Sequence, residues 1–184
     1  MNFEGYKKFV INYKPFEWEI ENNPSEFRKN IKGKHSFIIG FIRFYKVFLY
    51  LKKLKEKNIL NPKIIDVGAF PGNMVKLSRV MFEKISEYNA IGLDLDKNFI
   101  DKMEELNVRC TDTEIDPQFP GAKKVKEWQV ENGDICFFLD TIEHLVDPIF
   151  CLDQINKSLK NNGFLIITTD NITNFLYIVD MIRK

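Results

Sequence analysis

The sequence predicts an α/β protein built on a doubly wound, mostly parallel sheet with helices on both faces. Three observations carry this. Short apolar runs alternate with helical patterns from Lys63 to Thr168. A glycine turn, Gly68 to Gly72, joins the first run to a helix. Aspartates also stand at or just after the run ends, at Asp66, Asp94, Asp112, Asp140 and Asp170. In such sheets a ligand lies beyond the carboxyl ends of the strands, where the strand order reverses. The acids therefore predict a polar cleft there, although turn-forming aspartate explains any single one equally well.

The elements follow in order. Residues 1–22 mix aromatic and charged residues without helical period, and Ser25 can cap a short helix from Glu26 to Ile31. After Gly33, a longer helix is predicted from Ser36 to Lys57. Phe37, Phe41, Phe44, Phe48 and Leu51 recur at the three-or-four spacing of one buried face. Ile38, Ile42, Tyr45 and Leu49 widen that stripe, which reads as core or as a homodimer face. Asn61-Pro62 ends the segment. Strands are then predicted at Lys63–Val67, Ala90–Asp94, Val108–Thr111, Ile135–Leu139 and Phe164–Thr168. Helices are predicted at Gly72–Ser86, Lys97–Glu105 and Pro148–Leu159, with a single turn around Lys123–Trp128 and a last helix from Asn174. Residues 1–60 thus form a helical cap or arm, and residues 61–184 an α/β domain, in one compact unit.

Composition narrows the class. At 184 residues, 45% hydrophobic and with 17 Phe, the chain can bury a substantial core and is not disordered. Its net charge of +1 hides an asymmetry, because residues 1–60 hold 13 Lys and Arg against 6 Asp and Glu. That basic arm is a solvated surface or, less simply, a patch for an anionic partner such as RNA. Cys110, Cys136 and Cys151 form no C-x-x-C pair and read as buried thiols of a reducing compartment. No secretion signal opens the chain, and Phe37–Leu51 is too short and too charged to span a bilayer. A soluble, cytoplasmic protein is expected.

The chemistry concentrates in two segments. Ile64-Ile65-Asp66-Val67-Gly68-Ala69-Phe70-Pro71-Gly72 reads as strand, turn and helix start. Asp94 follows 22 residues after Gly72, at the end of the next run. A carboxylate there can accept two hydrogen bonds from ribose hydroxyls. The G-x-G-x-x-G spacing of a dinucleotide site is missing, which disfavours NAD and FAD. The turn resembles motif I of the class I S-adenosylmethionine-dependent methyltransferases, D/E-x-G-x-G-x-G, with Phe70 in place of the middle glycine. The second segment, Asp140-Thr141-Ile142-Glu143-His144-Leu145-Val146-Asp147-Pro148, resembles members whose fourth strand leads into E-H-L-x-x-P. Thr168-Thr169-Asp170-Asn171 is similar to their T-P-N, with Asp170 for proline. Asp112-Thr113-Glu114 with Phe119-Pro120 resembles their segment after strand three. The resemblance spans about residues 60–175.

That resemblance implies a Rossmann-like methyltransferase fold, here lacking the usual C-terminal strand hairpin, and S-adenosylmethionine as cofactor. Asp66, Gly68, Ala69, Phe70 and Gly72 would meet its methionine end, and Asp94 with Leu95 its ribose side. Asp112 and Thr113 would approach adenine, and Asp140 and Thr141 the reactive centre. Glu143 and His144 are the candidate acid/base pair, since imidazole titrates near neutrality and His144 lies where an acceptor would arrive; a structural role in the turn is the alternative. No metal site is expected, because Asp140 opens the E-x-x-E-H position and no histidine follows. The implied reaction is methyl transfer to a small-molecule or glycan hydroxyl or amine. An RNA methyltransferase and a non-catalytic binding or scaffold protein are the competing readings.

Overall fold

The computed structural model describes residues 4–6, 34–70, 72–93, 95, 97–122, 125 and 128–169, with side chains of the first long helix described from Tyr45 onward. That helix, α1, spans Lys34–Glu56. Then come β1 (Lys63–Val67), α2 (Asn73–Met81), β2 (Glu87–Gly92), α3 (Lys97–Glu105) and β3 (Val108–Asp112). After a long connection follow β4 (Gly133–Leu139), a 3-10 turn (Ile142–His144), α4 (Pro148–Ser158) and β5 (Leu159–Thr168). The five strands form one sheet in the order β3-β2-β1-β4-β5, and every pairing is parallel. The chain winds outward from β1 to β3, then crosses back to β4, so the order reverses between β1 and β4.

Strand alternation sends side chains to two cores. On one face Ile64, Tyr88, Ala90, Val108, Ile135 and Phe137 pack with α1, α2 and α3, which contribute Phe48, Leu51, Val75, Leu77, Phe99 and Met103. On the other, Ile65, Val67, Ile91, Cys136 and Phe138 pack with Cys151 and Ile155 of α4 and with Trp128 and Val130 from the connection. Such runs buried on both faces are characteristic of parallel sheets. Of the predicted α1 stripe, Phe48 and Leu51 are buried, whereas Leu49 is exposed. Tyr45 packs against the rings of Tyr6 and Phe48. Among the described residues no helix is long and apolar enough to cross a membrane.

Three boundaries differ by three residues or more from the sequence prediction. The helix α2 ends at Met81 rather than Ser86, because Phe82 turns extended and buries its ring in the core. The chain therefore enters β2 at Glu87, three residues before Ala90. Tyr88 and Asn89 look polar in sequence, but both are buried here. Strand β5 begins at Leu159 rather than Phe164 because Leu159 already pairs with Gly133, with a register shift before Ile135 meets Phe164. No helical turn forms at Val125 or Trp128. The short helix predicted at 26–31 and the last helix from Asn174 lie outside the described residues.

Candidate active site

A cleft of about 310 Å³ opens at the carboxyl ends of the strands, beside the point where the order reverses. Its first wall is backbone. Gly68, Ala69 and Phe70 of the turn after β1 line it, with Gly92, Leu93 and Leu95 after β2. Gly68 adopts φ 72°, and a Cβ there would collide with the Thr141 side chain. Its amide donates to the Ile91 carbonyl at 2.8 Å. Gly72, at φ 85°, caps α2 and donates its amide to the Ala69 carbonyl at 2.7 Å. Left-handed conformations of this kind favour glycine, so the motif spacing has a direct backbone reason.

The second wall is held by carboxylates. Glu114, Ile115, Asp116 and Phe119 line it from the segment after β3, and His144 and Leu145 from the turn after β4. Asp116 is buried, and its two carboxylate oxygens accept from the amides of Val146 and Asp147. It thereby staples the segment after β3 to the turn carrying His144. Glu114, also buried, accepts from the amides of Ile115 and Asp116 at 3.0 and 2.9 Å. Asp147 caps α4 through the amides of Ile149 and Phe150, and Pro148 starts the helix.

The predicted residues divide accordingly. Gly68, Ala69, Phe70, Leu95 and His144 line the cleft together. Thr141 backs the glycine turn, its hydroxyl donating to the Leu139 carbonyl. Asp66 points onto the α2 face rather than into the cleft, and the Tyr88 hydroxyl donates to it at 2.7 Å. Burial pushes its carboxyl up to about 7, with the Tyr88 hydrogen bond opposing. Asp140, at φ 50°, accepts from the Thr168 hydroxyl. Asp112 is exposed and accepts from the Leu95 amide at 3.4 Å, while Thr113 is buried, its amide donating to the Gly92 carbonyl. Gly72, Asp66, Asp112, Thr113, Asp140, Thr141 and Glu143 do not line the cleft. Asp94 lies outside the described residues. Among the described residues no three His, Cys, Asp or Glu side chains gather as a metal set.

Among the cleft residues to which the sequence reading gave no role, Glu114 and Asp116 are the charged ones. One signal was available for Asp116, because Asp116-Pro117 repeats the Asp-Pro pattern of the helix cap at Asp147-Pro148.

No family model matches the chain, and no curated protein is significantly similar to it in sequence. Solved structures are similar in fold. The plantazolicin methyltransferase BpumL, solved with a pentazolic desmethylPZN analog and SAH, is 18% identical over 96% of this chain and 70% of its own, with a TM-score of 0.55. A putative O-methyltransferase from Nostoc punctiforme PCC 73102 is 13% identical over 77% of this chain and 43% of its own, with a TM-score of 0.52. This chain spans about half (48%) of an S-adenosylmethionine-dependent methyltransferase from Mesorhizobium loti, at 14% identity over 60% of this chain and a TM-score of 0.45. The fold is the Rossmann-like fold of class I S-adenosylmethionine-dependent methyltransferases.

Proposed function

We propose that the chain is an S-adenosylmethionine-dependent methyltransferase acting on a hydroxyl or amine of a small molecule or glycan. The supporting observation is the cleft itself, at the reversal of strand order, with one glycine-built wall and His144 on the other. Its residues fit the cofactor. A Cβ at Gly68 would run into Thr141, so the turn stays bare backbone there, and Gly68, Ala69 and Phe70 line the cleft. Leu93, Leu95 and Ile115 offer apolar surface to an adenine ring, and Glu114 brings a carboxylate to its polar edge. Asp94 would take the ribose hydroxyls.

When bound, S-adenosylmethionine supplies a methyl group on a sulfonium centre that is open to in-line displacement. The protein's part is chiefly alignment. The glycine turn holds the methionine end and Leu95 the ribose side, and the Asp116 staple holds the opposite wall at a fixed height. His144 takes the proton from the acceptor oxygen or nitrogen as that atom bonds to the methyl carbon. Glu143, next to it in sequence and exposed, would pass that proton to solvent. Asp66 acts at one remove, under the turn rather than on the ligand.

Calorimetric titration of S-adenosylmethionine, S-adenosylhomocysteine and NAD tests the reading. Micromolar binding of the first two is expected, lost in Asp94→Ala, kept in His144→Ala, and absent for NAD. Absence of binding would transfer the chain to the non-catalytic binding or scaffold class.

A further inference from the structure

The long helix α1 carries a surface that the cleft does not use. Its apolar side, with Val47, Phe48, Leu51 and Leu54, is buried in the core. On one exposed flank stand Lys46, Tyr50, Lys53 and Lys57, at successive spacings of four, three and four residues. With about 3.6 residues per turn, the four positions fall within ~60° of one another along ~16 Å of helix. Lys57 follows the last residue of α1, yet its amide still donates to the Lys53 carbonyl at 3.1 Å, so the turn continues through it.

The charges on this flank have no acidic partners. Lys52 and Lys55, elsewhere on the helix, meet Glu56 and Glu83, each at 3.9 Å. Among the described residues no carboxylate pairs with Lys46, Lys53 or Lys57. Two of these ammonium groups stand over aromatic rings instead. Lys53 Nζ lies 5.5 Å from the centroid of the Tyr50 ring, and Lys57 Nζ lies 5.7 Å from that of Phe164. Tyr50 is still 57% exposed beside Lys53.

That chemistry selects an occupant. A helix that lies on a membrane needs an apolar face to bury in it, and α1 has given that face to the core. An acidic polypeptide would use the lysines and leave the Tyr50 ring bare. A single-stranded nucleic acid uses both, with phosphates on the cations and a base on the ring. The surface is also remote from the cleft at its Lys57 end. Phe164, under Lys57, pairs with Ile135 near the start of β4, whereas the cleft opens at the carboxyl ends of the strands.

We propose that Lys46, Tyr50, Lys53 and Lys57 form a docking surface for single-stranded nucleic acid, with a base stacked on Tyr50 and phosphates on the lysines. None of the four lines the cleft, so the proposal goes beyond the methyltransferase reading and stands or falls apart from it.

Fluorescence anisotropy of a labelled adenylate dodecamer, as RNA and as DNA, tests this on the full chain across a salt series. Log affinity should fall against log salt with a slope of about −2, the value for three phosphates of a single strand. Lys46→Gln/Lys53→Gln/Lys57→Gln should weaken binding by about tenfold at low salt and flatten that slope. Lys52→Gln/Lys102→Gln/Lys157→Gln removes the same charge from lysines paired with Glu56, Glu105 and Asp153, and should stay within about twofold of the parent. Tyr50→Ala should also cost about tenfold, the effect of one stacked base, with the slope unchanged. The substituted flank is exposed, so these variants keep the core. Binding of either strand satisfies the proposal, and the ratio of the two affinities tells which one the surface takes. It is overturned by no binding at low salt, by equal losses in the two triple variants, or by parent affinity in Tyr50→Ala. Displacement by polyglutamate as readily as by unlabelled strand, or tighter binding to phosphatidylserine vesicles, would overturn it as well.

Discussion

The two walls of the cleft are made by different physics. The wall after β1 and β2 is shaped by missing side chains: Gly68 and Gly72 sit at positive φ, and Gly92 leaves space that Leu95 fills, since a Cβ would stand 2.9 Å from its Cδ2. The wall after β3 and β4 is shaped by side chains that replace backbone partners, with Glu114, Asp116 and Asp147 collecting loop amides. A glycine wall is intolerant of any added atom, whereas a carboxylate wall is intolerant of a lost acceptor. Addition should therefore be ruinous on one side and deletion on the other.

The largest effect is expected on the glycine wall. Gly68→Ala combines a strained positive φ with a collision against Thr141. It should cost about 3 kcal/mol of stability and lower S-adenosylhomocysteine affinity at least ~100-fold. Adding Thr141→Ala should recover part of this, since it relieves the collision and leaves the strain. Denaturation and calorimetry on both variants separate the two contributions. Unchanged stability and affinity in Gly68→Ala alone would remove the distinction between the walls.

The opposite wall should fail by deletion. Asp116→Ala strands the Val146 and Asp147 amides, which at roughly 1–3 kcal/mol for unsatisfied buried groups should lower stability by about 2 kcal/mol in urea titrations. Asp116→Asn, which keeps one carbonyl acceptor, should lose less. Asp112→Ala, at an exposed acid at the end of β3, should stay within about 0.5 kcal/mol. Equal losses at Asp112 and Asp116 would mean that the staple does not hold this wall.

The smallest effect concerns what lies beneath the glycine turn. The Asp66 carboxyl keeps its proton up to about 7 when folded, against an ordinary value of 3.8. Between these values the folded state binds more protons than the unfolded one, so this group's contribution is complete below the lower value and falls away as pH rises through the upper one. Asp66→Asn cannot titrate and should gain stability relative to the parent chain as pH rises from about 4 to 8. Stability curves across that range that run parallel in the two proteins would place Asp66 in a solvated setting instead.

These contrasts also explain what could be read from the sequence. The first strand and the helix Lys97–Glu105 match their predicted bounds, because apolar runs and helical spacing act locally. Strand β2 begins early because tertiary burial claims Tyr88 and Asn89, whose residue types carry no such signal. The glycine wall was legible since positive φ has few alternatives to glycine. The carboxylate wall was not, because an aspartate that binds a ligand and one that binds a loop amide look alike in sequence. Asp116 holds the amides of Val146 and Asp147, and Asp140 accepts from Thr168, partners that the residue types alone do not display.

The most direct measurement is ultraviolet crosslinking of methyl-tritiated S-adenosylmethionine to the chain, followed by peptide mapping. Label should fall in the segments 66–72, 92–95 and 113–119, the two walls of one cleft, and be competed away by S-adenosylhomocysteine. Competed label confined to other segments would contradict the assignment of this cleft as the cofactor site.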